Sequence, residues 1–245
     1  MESPRTETLR LRQIVLITDD LPAATEQAIA AFGFPGTVRD EEGMAKLGFV
    51  HEVFSFGDTF LEIVAPASTD SAHGRLVAKN GPGGFMAVAQ VTDLDAVVER
   101  AATRELAPLL HEEYDGHVIS QWHPKALGTL AEIDQVEPFD TWHFAPGIFD
   151  QRATGAARDI VGATLAVGDP AAVAANWAAL TGAPVDADHT VRLGPESLAL
   201  VESGDGRRGL VAVDVAAADP RDVGRVVDLC GVPFRFVPPT TEEPS

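Results

Sequence analysis

Three polar residues interrupt otherwise apolar stretches of this chain: Gln13 in LRQIVLI, Glu62 in TFLEIVAP and Glu132 in TLAEIDQV. Each stretch reads as a β-strand, so each polar side chain needs an explanation. A carboxylate in such a strand either points to water or has a partner, because an unpaired buried charge is costly. Two carboxylates and an amide oxygen are hard donors, suited to Zn, Ni, Mn, Co, Fe or Mg rather than to copper or an iron–sulfur cluster. Against that stands a plainer reading, in which one or both glutamates face solvent on a sheet edge. Four histidines lie close enough in sequence to join the group. His51 falls in a middle strand, His117 and His123 flank a hairpin, and His143 follows Trp142. Each is eligible as a ligand, as an acid–base group tuned near neutrality, or as an ordinary surface residue. The catalytic candidates are Glu62, His51 and His123; the metal candidates are Gln13, Glu62 and Glu132.

The elements that would position them recur. LRQIVLITDDLPAATEQAIAAFGF, starting at Leu11, reads as a strand, a turn marked by aspartate and an amphipathic helix. The same pattern returns from Gly83, from Asp159 and from Gly209. Aligning the turn aspartates Asp20, Asp93, Asp169 and Asp219 sets Gln13 opposite Met86, Gly162 and Ala212. The first two repeats each continue into further strands, predicted near 36–40, over 49–56 and 59–64, and then over 117–122 and 128–136. Internal repetition of this kind implies stacked copies of one unit.

The predicted fold class is α+β: paired βαβββ modules curled around a cavity, then a degenerate second domain of the same module type. Residues 1–145 form the two-module domain, 146–158 a linker, 159–240 the incomplete second domain, and 241–245 a disordered tail. Residues 1–10 are expected to be loose. In the second domain the third unit carries strand 160–167, helix 171–180 and a hairpin through 190–193 and 197–201. The fourth unit is shorter, with a helix over 220–229 and a last strand at 234–237. Trp122, Trp142, Phe54 and Phe144 are candidates to line the mouth of the cavity.

A length of 245 residues with 45% apolar content supports real cores. The net charge of −19 disfavours nucleic acid and anionic membrane as partners. Cys230 is the single cysteine, which removes internal disulfides and thiolate metal clusters from consideration. No apolar run reaches membrane-spanning length and the first residues lack a signal-peptide core, so a cytoplasmic protein is expected. GPGG at 81–84 and GDGRRG at 204–209 are too irregular for phosphate fingerprints.

Taken together, LRQIVLITDDLPAA, FGDTFLEIVAP and HPKALGTLAEI resemble the vicinal oxygen chelate superfamily, the glyoxalase and bleomycin-resistance fold. The last two look most like methylmalonyl-CoA epimerase and its glyoxalase-like neighbours. The resemblance implies a divalent metal held by Gln13, Glu62 and Glu132, with Met86 in the place of a usual fourth ligand. It implies an isomerase, epimerase or lyase acting on a small carbonyl compound, with Glu62 or a histidine moving a proton. Because Met86 departs from the pattern, the competing expectation is a non-catalytic protein that sequesters a small molecule. The partner is then a small-molecule substrate or ligand, and the assembly a homodimer.

Overall fold

The computed structural model describes residues 9–204 and 206–239, so the predicted tail at 241–245 and most of the loose start lie outside the described residues. Leu9 and Arg10 already belong to the first strand. The first half runs β1 (Leu9–Ile17), α1 (Leu21–Phe32), α2 (Glu41–Leu47), β2 (Phe49–Ser55), β3 (Phe60–Pro66), α3 (Ala72–Asn80), β4 (Gly83–Val91), α4 (Leu94–Ala102), β5 (Leu110–Tyr114), β6 (His117–Trp122), α5 (Pro124–Leu127) and β7 (Leu130–Gln135). The second half runs β8 (Ala157–Val167), α6 (Pro170–Thr181), β9 (Thr190–Leu193), β10 (Glu196–Glu202), β11 (Gly209–Ala217), β12 (Val226–Leu229) and β13 (Val232–Val237).

The recurring aspartate has one local job in all four units. Asp20, Asp93 and Asp169 each accept a hydrogen bond from the backbone N–H three residues on, capping α1, α4 and α6. Asp219 caps only a 3-10 turn, Pro220–Asp222. The helix expected over 220–229 does not form. Gly224 takes φ +89°, and Cys230–Gly231, both with positive φ, make a two-residue turn that pairs Leu229 with Val232. That turn geometry matches strand twist, so Val226–Leu229 becomes a hairpin arm instead. The strand expected near 36–40 is reduced to a single bridge, Val38 to Val53.

Two sheets result, in the orders β2-β3-β1-β4-β7-β6-β5 and β12-β13-β11-β8-β10-β9. Alternation gives the first sheet two apolar faces. Its convex face carries Leu11, Ile14, Leu16, Ile63 and Ala89, which join Val213, Phe234 and Phe236 of the second sheet in one core. Its concave face carries Val15, Val53, Phe60, Met86 and Val88. Residues 137–151 cross that concave face as a strap, burying Trp142 and Ile148 against it. Trp122 and Phe54 lie in the convex core, not at a cavity mouth; Trp142 and Phe144 do face the concave side.

The sheets meet where β4 passes β11. A Cβ on Gly84 would stand 2.3 Å from the Leu210 carbonyl oxygen, backbone that cannot swing aside. Gly84→Ala is therefore expected to cost about 1–3 kcal/mol by overpacking, read as a lower urea midpoint. An unchanged midpoint would show that the two backbones are not in contact.

Candidate active site

Strand pairing decides which side chains share the hollow. Gln13 pairs with Val88 and Val15 with Met86 across the antiparallel β1–β4 seam. Those two pairings exchange under the pseudo-two-fold between modules, which makes Met86 the counterpart of Gln13. Val15 pairs with Glu62, and Val88 with Glu132. Glu62 and Glu132 are thus equivalent positions, one in the last strand of each module. Paired residues point to the same face of a sheet, so Gln13, Glu62 and Glu132 all look into the concave side, and none sits on a solvent edge. All three are half-buried.

Gln13, Glu62 and His51 form one hydrogen-bonded group. Gln13 Nε2 donates to Glu62 Oε2 at 2.9 Å, while Trp142 Nε1 donates to Gln13 Oε1 at 3.0 Å. These two bonds fix which way the Gln13 amide faces. His51 Nδ1 lies 2.6 Å from Glu62 Oε1, and its Nε2 is 2.7 Å from the backbone nitrogen of Asp40. Because a backbone N–H can only donate, Nε2 must be the unprotonated nitrogen. The proton is therefore on Nδ1, and His51 donates it to Glu62. Both ring nitrogens of His51 are thereby engaged with protein groups. Asp40 in turn caps α2 and accepts from Tyr114 Oη at 2.7 Å, tying the second module's edge strand to the first module. Burial and that bond to Asp40 push the Tyr114 hydroxyl up to about 12. The strap is held by Arg12, whose guanidinium lies 5.4 Å from the Phe60 ring and 5.5 Å from that of Trp142 and donates to the Thr141 carbonyl.

Opposite stands a second acidic group. Glu132 Oε2 accepts from Gln121 Nε2 at 2.7 Å. Burial pushes the Glu132 carboxyl up to about 8, helped by repulsion from Asp134 and, more weakly, Glu62, and opposed by the Gln121 bond. Asp134, fully buried, is raised well above the usual carboxylate range by burial. Its Oδ2 lies 3.1 Å from His143 Nε2, whose own affinity for a proton burial lowers. The pair is best described as neutral and sharing one proton. The His117 ring packs edge-on against His143, with centroids 5.3 Å apart.

Of the residues singled out from sequence, Gln13, Glu62, His51 and Glu132 come together on this face, and His117 and His143 join them. His123 does not. It is exposed at the start of α5, where Nδ1 accepts from the Lys125 backbone N–H at 3.0 Å. Met86 is buried in the concave wall. Asp134, Gln121, Asp40 and Tyr114 were missed. Asp134 had a signal, standing two residues after Glu132 and so on the same face of β7.

A divalent cation would need the oxygens of Gln13, Glu62 and Glu132 turned to one point. Instead Gln13 offers its N–H to Glu62 and its oxygen to Trp142, and both Glu62 oxygens face protein donors. The fourth position holds a soft thioether. Among the described residues, no three His, Cys, Asp or Glu side chains gather closely enough to hold a metal. As placed, this donor set does not fit a divalent cation.

Comparison with known proteins finds similar solved structures. A methylmalonyl-CoA epimerase in complex with methylmalonyl-CoA and NH4+ is 26% identical, over 54% of this chain and 96% of its own, at a TM-score of 0.44. The methylmalonyl-CoA epimerase from Mycobacterium tuberculosis is 21% identical over 53% of this chain and 89% of its own, with a TM-score of 0.46. A hypothetical protein from Staphylococcus aureus, only 10% identical, covers 94% of this chain and 99% of its own at a TM-score of 0.66. That likeness extends the fold across both sheets. No curated protein matches the chain. The glyoxalase-like domain matches residues 14–181, which takes in both modules, the strap and the start of the second sheet. With two paired modules closing on a shared polar hollow, the chain belongs to the glyoxalase-like family of the vicinal oxygen chelate superfamily.

Proposed function

We propose that this protein is an isomerase or epimerase that moves a proton at the carbon next to a carbonyl group of a small molecule. One observation carries this reading. Two equivalent glutamates face one hollow in different environments: Glu62 is held by two N–H donors, whereas Glu132 keeps its proton up to about pH 8. Two equivalent carboxyl groups, one ringed by N–H donors and the other buried with its proton, suit the base and the acid of a proton-transfer site. Glu62 removes the proton from carbon. Glu132 donates a hydrogen bond, and then its proton, to the carbonyl oxygen as that oxygen gains charge. Return of the proton from Glu62 to the adjacent carbon, with Glu132 taking one back from the neighbouring hydroxyl, completes an isomerisation. An epimerisation requires the proton on the opposite face of the same carbon, which Glu132 supplies directly to carbon in place of oxygen while Glu62 keeps the one it removed. His51 and Gln13 hold the Glu62 carboxylate in place, and the Trp142 strap limits water.

The test is deuterium incorporation from D2O, followed by NMR, into a panel of 2-oxo acids, hydroxyketones and acyl thioesters. Exchange at the carbon beside the carbonyl supports the proposal. Dialysis of the protein against a chelator is expected to leave that exchange intact; activity recovered only on adding a divalent cation overturns the metal-free reading. The buried Met86, in the place of a usual ligand, favours sequestration as a second reading. Tight binding of panel members without exchange would establish it in place of the enzyme.

A further inference from the structure

A groove lies beside this hollow, not within it. It encloses about 750 Å³ between the end of the first sheet and the connection entering β11. Ile17, Val77, Phe85 and Leu130 form one wall, and all four belong to or pack on the concave apolar cluster. Arg207 and Arg208 form the other. Leu130 is two residues before Glu132 on the same face of β7, a separation of roughly 7 Å along a strand. Met86, paired with both Val15 and Leu130, stands between groove and hollow.

The charge around this groove is the reverse of the chain's. The whole sequence holds 37 carboxylates against 18 lysines and arginines. Yet three of the four segments that line the groove, 71–91, 117–131 and 206–213, contain no Asp or Glu at all; the fourth contributes Ile17, with Asp19 and Asp20 following in the turn. Of the basic residues in those three segments, Arg207 and Arg208 line the groove. Arg207 is held rigidly, its Nη2 donating to the carbonyls of Asn80 at 3.0 Å and Pro82 at 2.6 Å. Arg208 is exposed and has no ion-pair partner among the described residues. In a chain of this acidity, unpaired cations gathered at a cavity are the natural complement of an anion. A dibasic rim with an apolar floor suits a phosphate carried on an apolar stem.

We infer that this groove binds a phosphate-bearing small molecule, its phosphate at Arg207 and Arg208 and its apolar stem along Phe85 and Leu130, pointing past Met86 toward Glu132. The two arginines lie outside the residues matched by the glyoxalase-like domain. The second sheet would then supply part of the binding site, a role beyond filling the core. Recognition here uses side-chain cations at a cavity and no glycine-rich fingerprint. The placement of the reactive end rests on the proposed proton transfer; the phosphate site does not.

Calorimetric titration of the full chain with octyl phosphate, inorganic phosphate and octanol tests it. Octyl phosphate is expected to bind most tightly, with affinity falling as salt is raised. Arg208→Gln should weaken it about tenfold or more, as loss of a charge-assisted contact does, and Arg208→Glu should abolish it. Arg221→Gln, removing an exposed cation already paired with Asp219, should change nothing. Octanol binding as tightly as octyl phosphate, or wild-type affinity in Arg208→Glu, overturns the inference. Repeating the titration with Glu62→Gln separates the two proposals: binding retained while exchange is absent in every protein sinks only the proton transfer. Exchange without octyl phosphate binding sinks only the groove.

Discussion

Glu62→Gln is expected to lower deuterium exchange by about 10²–10⁴-fold, the usual contribution of a positioned general base. The substitution keeps shape and volume, so ligand binding should survive it. What it removes is the base, and it also sets donors against each other. Gln13 presents an N–H to one oxygen of Glu62, and the His51 tautomer, pinned by the Asp40 backbone N–H, presents a second N–H to the other. A primary amide at position 62 accepts only one of these and turns its NH2 toward the remaining donor. A loss of about 1–3 kcal/mol in stability should accompany the loss of rate, because a buried donor is left unsatisfied. Glu62→Asp separates the two effects: it keeps a carboxylate but draws it back by one methylene, so part of the rate should remain. Exchange rates and urea midpoints for the three proteins are the measurements. Wild-type turnover in Glu62→Gln would remove this residue from the chemistry.

Much of this arrangement is legible in the sequence. The recurring turn aspartates and apolar, β-branched strands mark both modules, and the place of each glutamate before its strand end marks their equivalence, which the pairing of Val15 with Glu62 and Val88 with Glu132 bears out. Other features depend on contacts that pattern alone does not encode. Helix α2 buries no residue and α3 buries only Gly74 and Val77, so neither carries an apolar stripe; both are held largely by their caps, Asp40 and Ser71. The role of His51 turns on a backbone N–H donated from the loop before α2, which no spacing rule predicts. His123 had the right residue type beside the right strand, yet a proline one position later draws it into a helix cap. Cys230 and Gly231 read as a helix end until their positive φ values make them a hairpin turn.

Glu132→Gln should show itself most plainly as a change in how stability depends on pH. In the folded protein the Glu132 carboxyl titrates near 8, raised from an ordinary 4.5. A group raised on folding stabilises the native state fully below its unfolded value, and that stabilisation is lost as pH climbs through the folded value. Between about 4.5 and 8 the native state holds a proton that the unfolded chain has released, so wild-type stability falls across this window. One such proton corresponds to about 1.4 kcal/mol per pH unit, hence to an upper bound of about 5 kcal/mol; solvent reaching the half-buried side chain brings the expected loss to about 2–3 kcal/mol. A glutamine takes up no proton, so the difference between variant and wild type should be small near pH 4.5 and favour the variant by about that amount at pH 8. Glu196 is also raised by burial, but it titrates in both proteins and cancels in the comparison. Catalysis supplies the opposite sign. The wild-type rate should fall above pH 8 as the proton donor ionises, whereas Glu132→Gln should be slow at every pH and lack that alkaline limb, since its amide can donate a hydrogen bond but not a proton. Parallel stability curves for the two proteins would mean that Glu132 is ionised in the folded state, and the assignment of acid and base would fall with it.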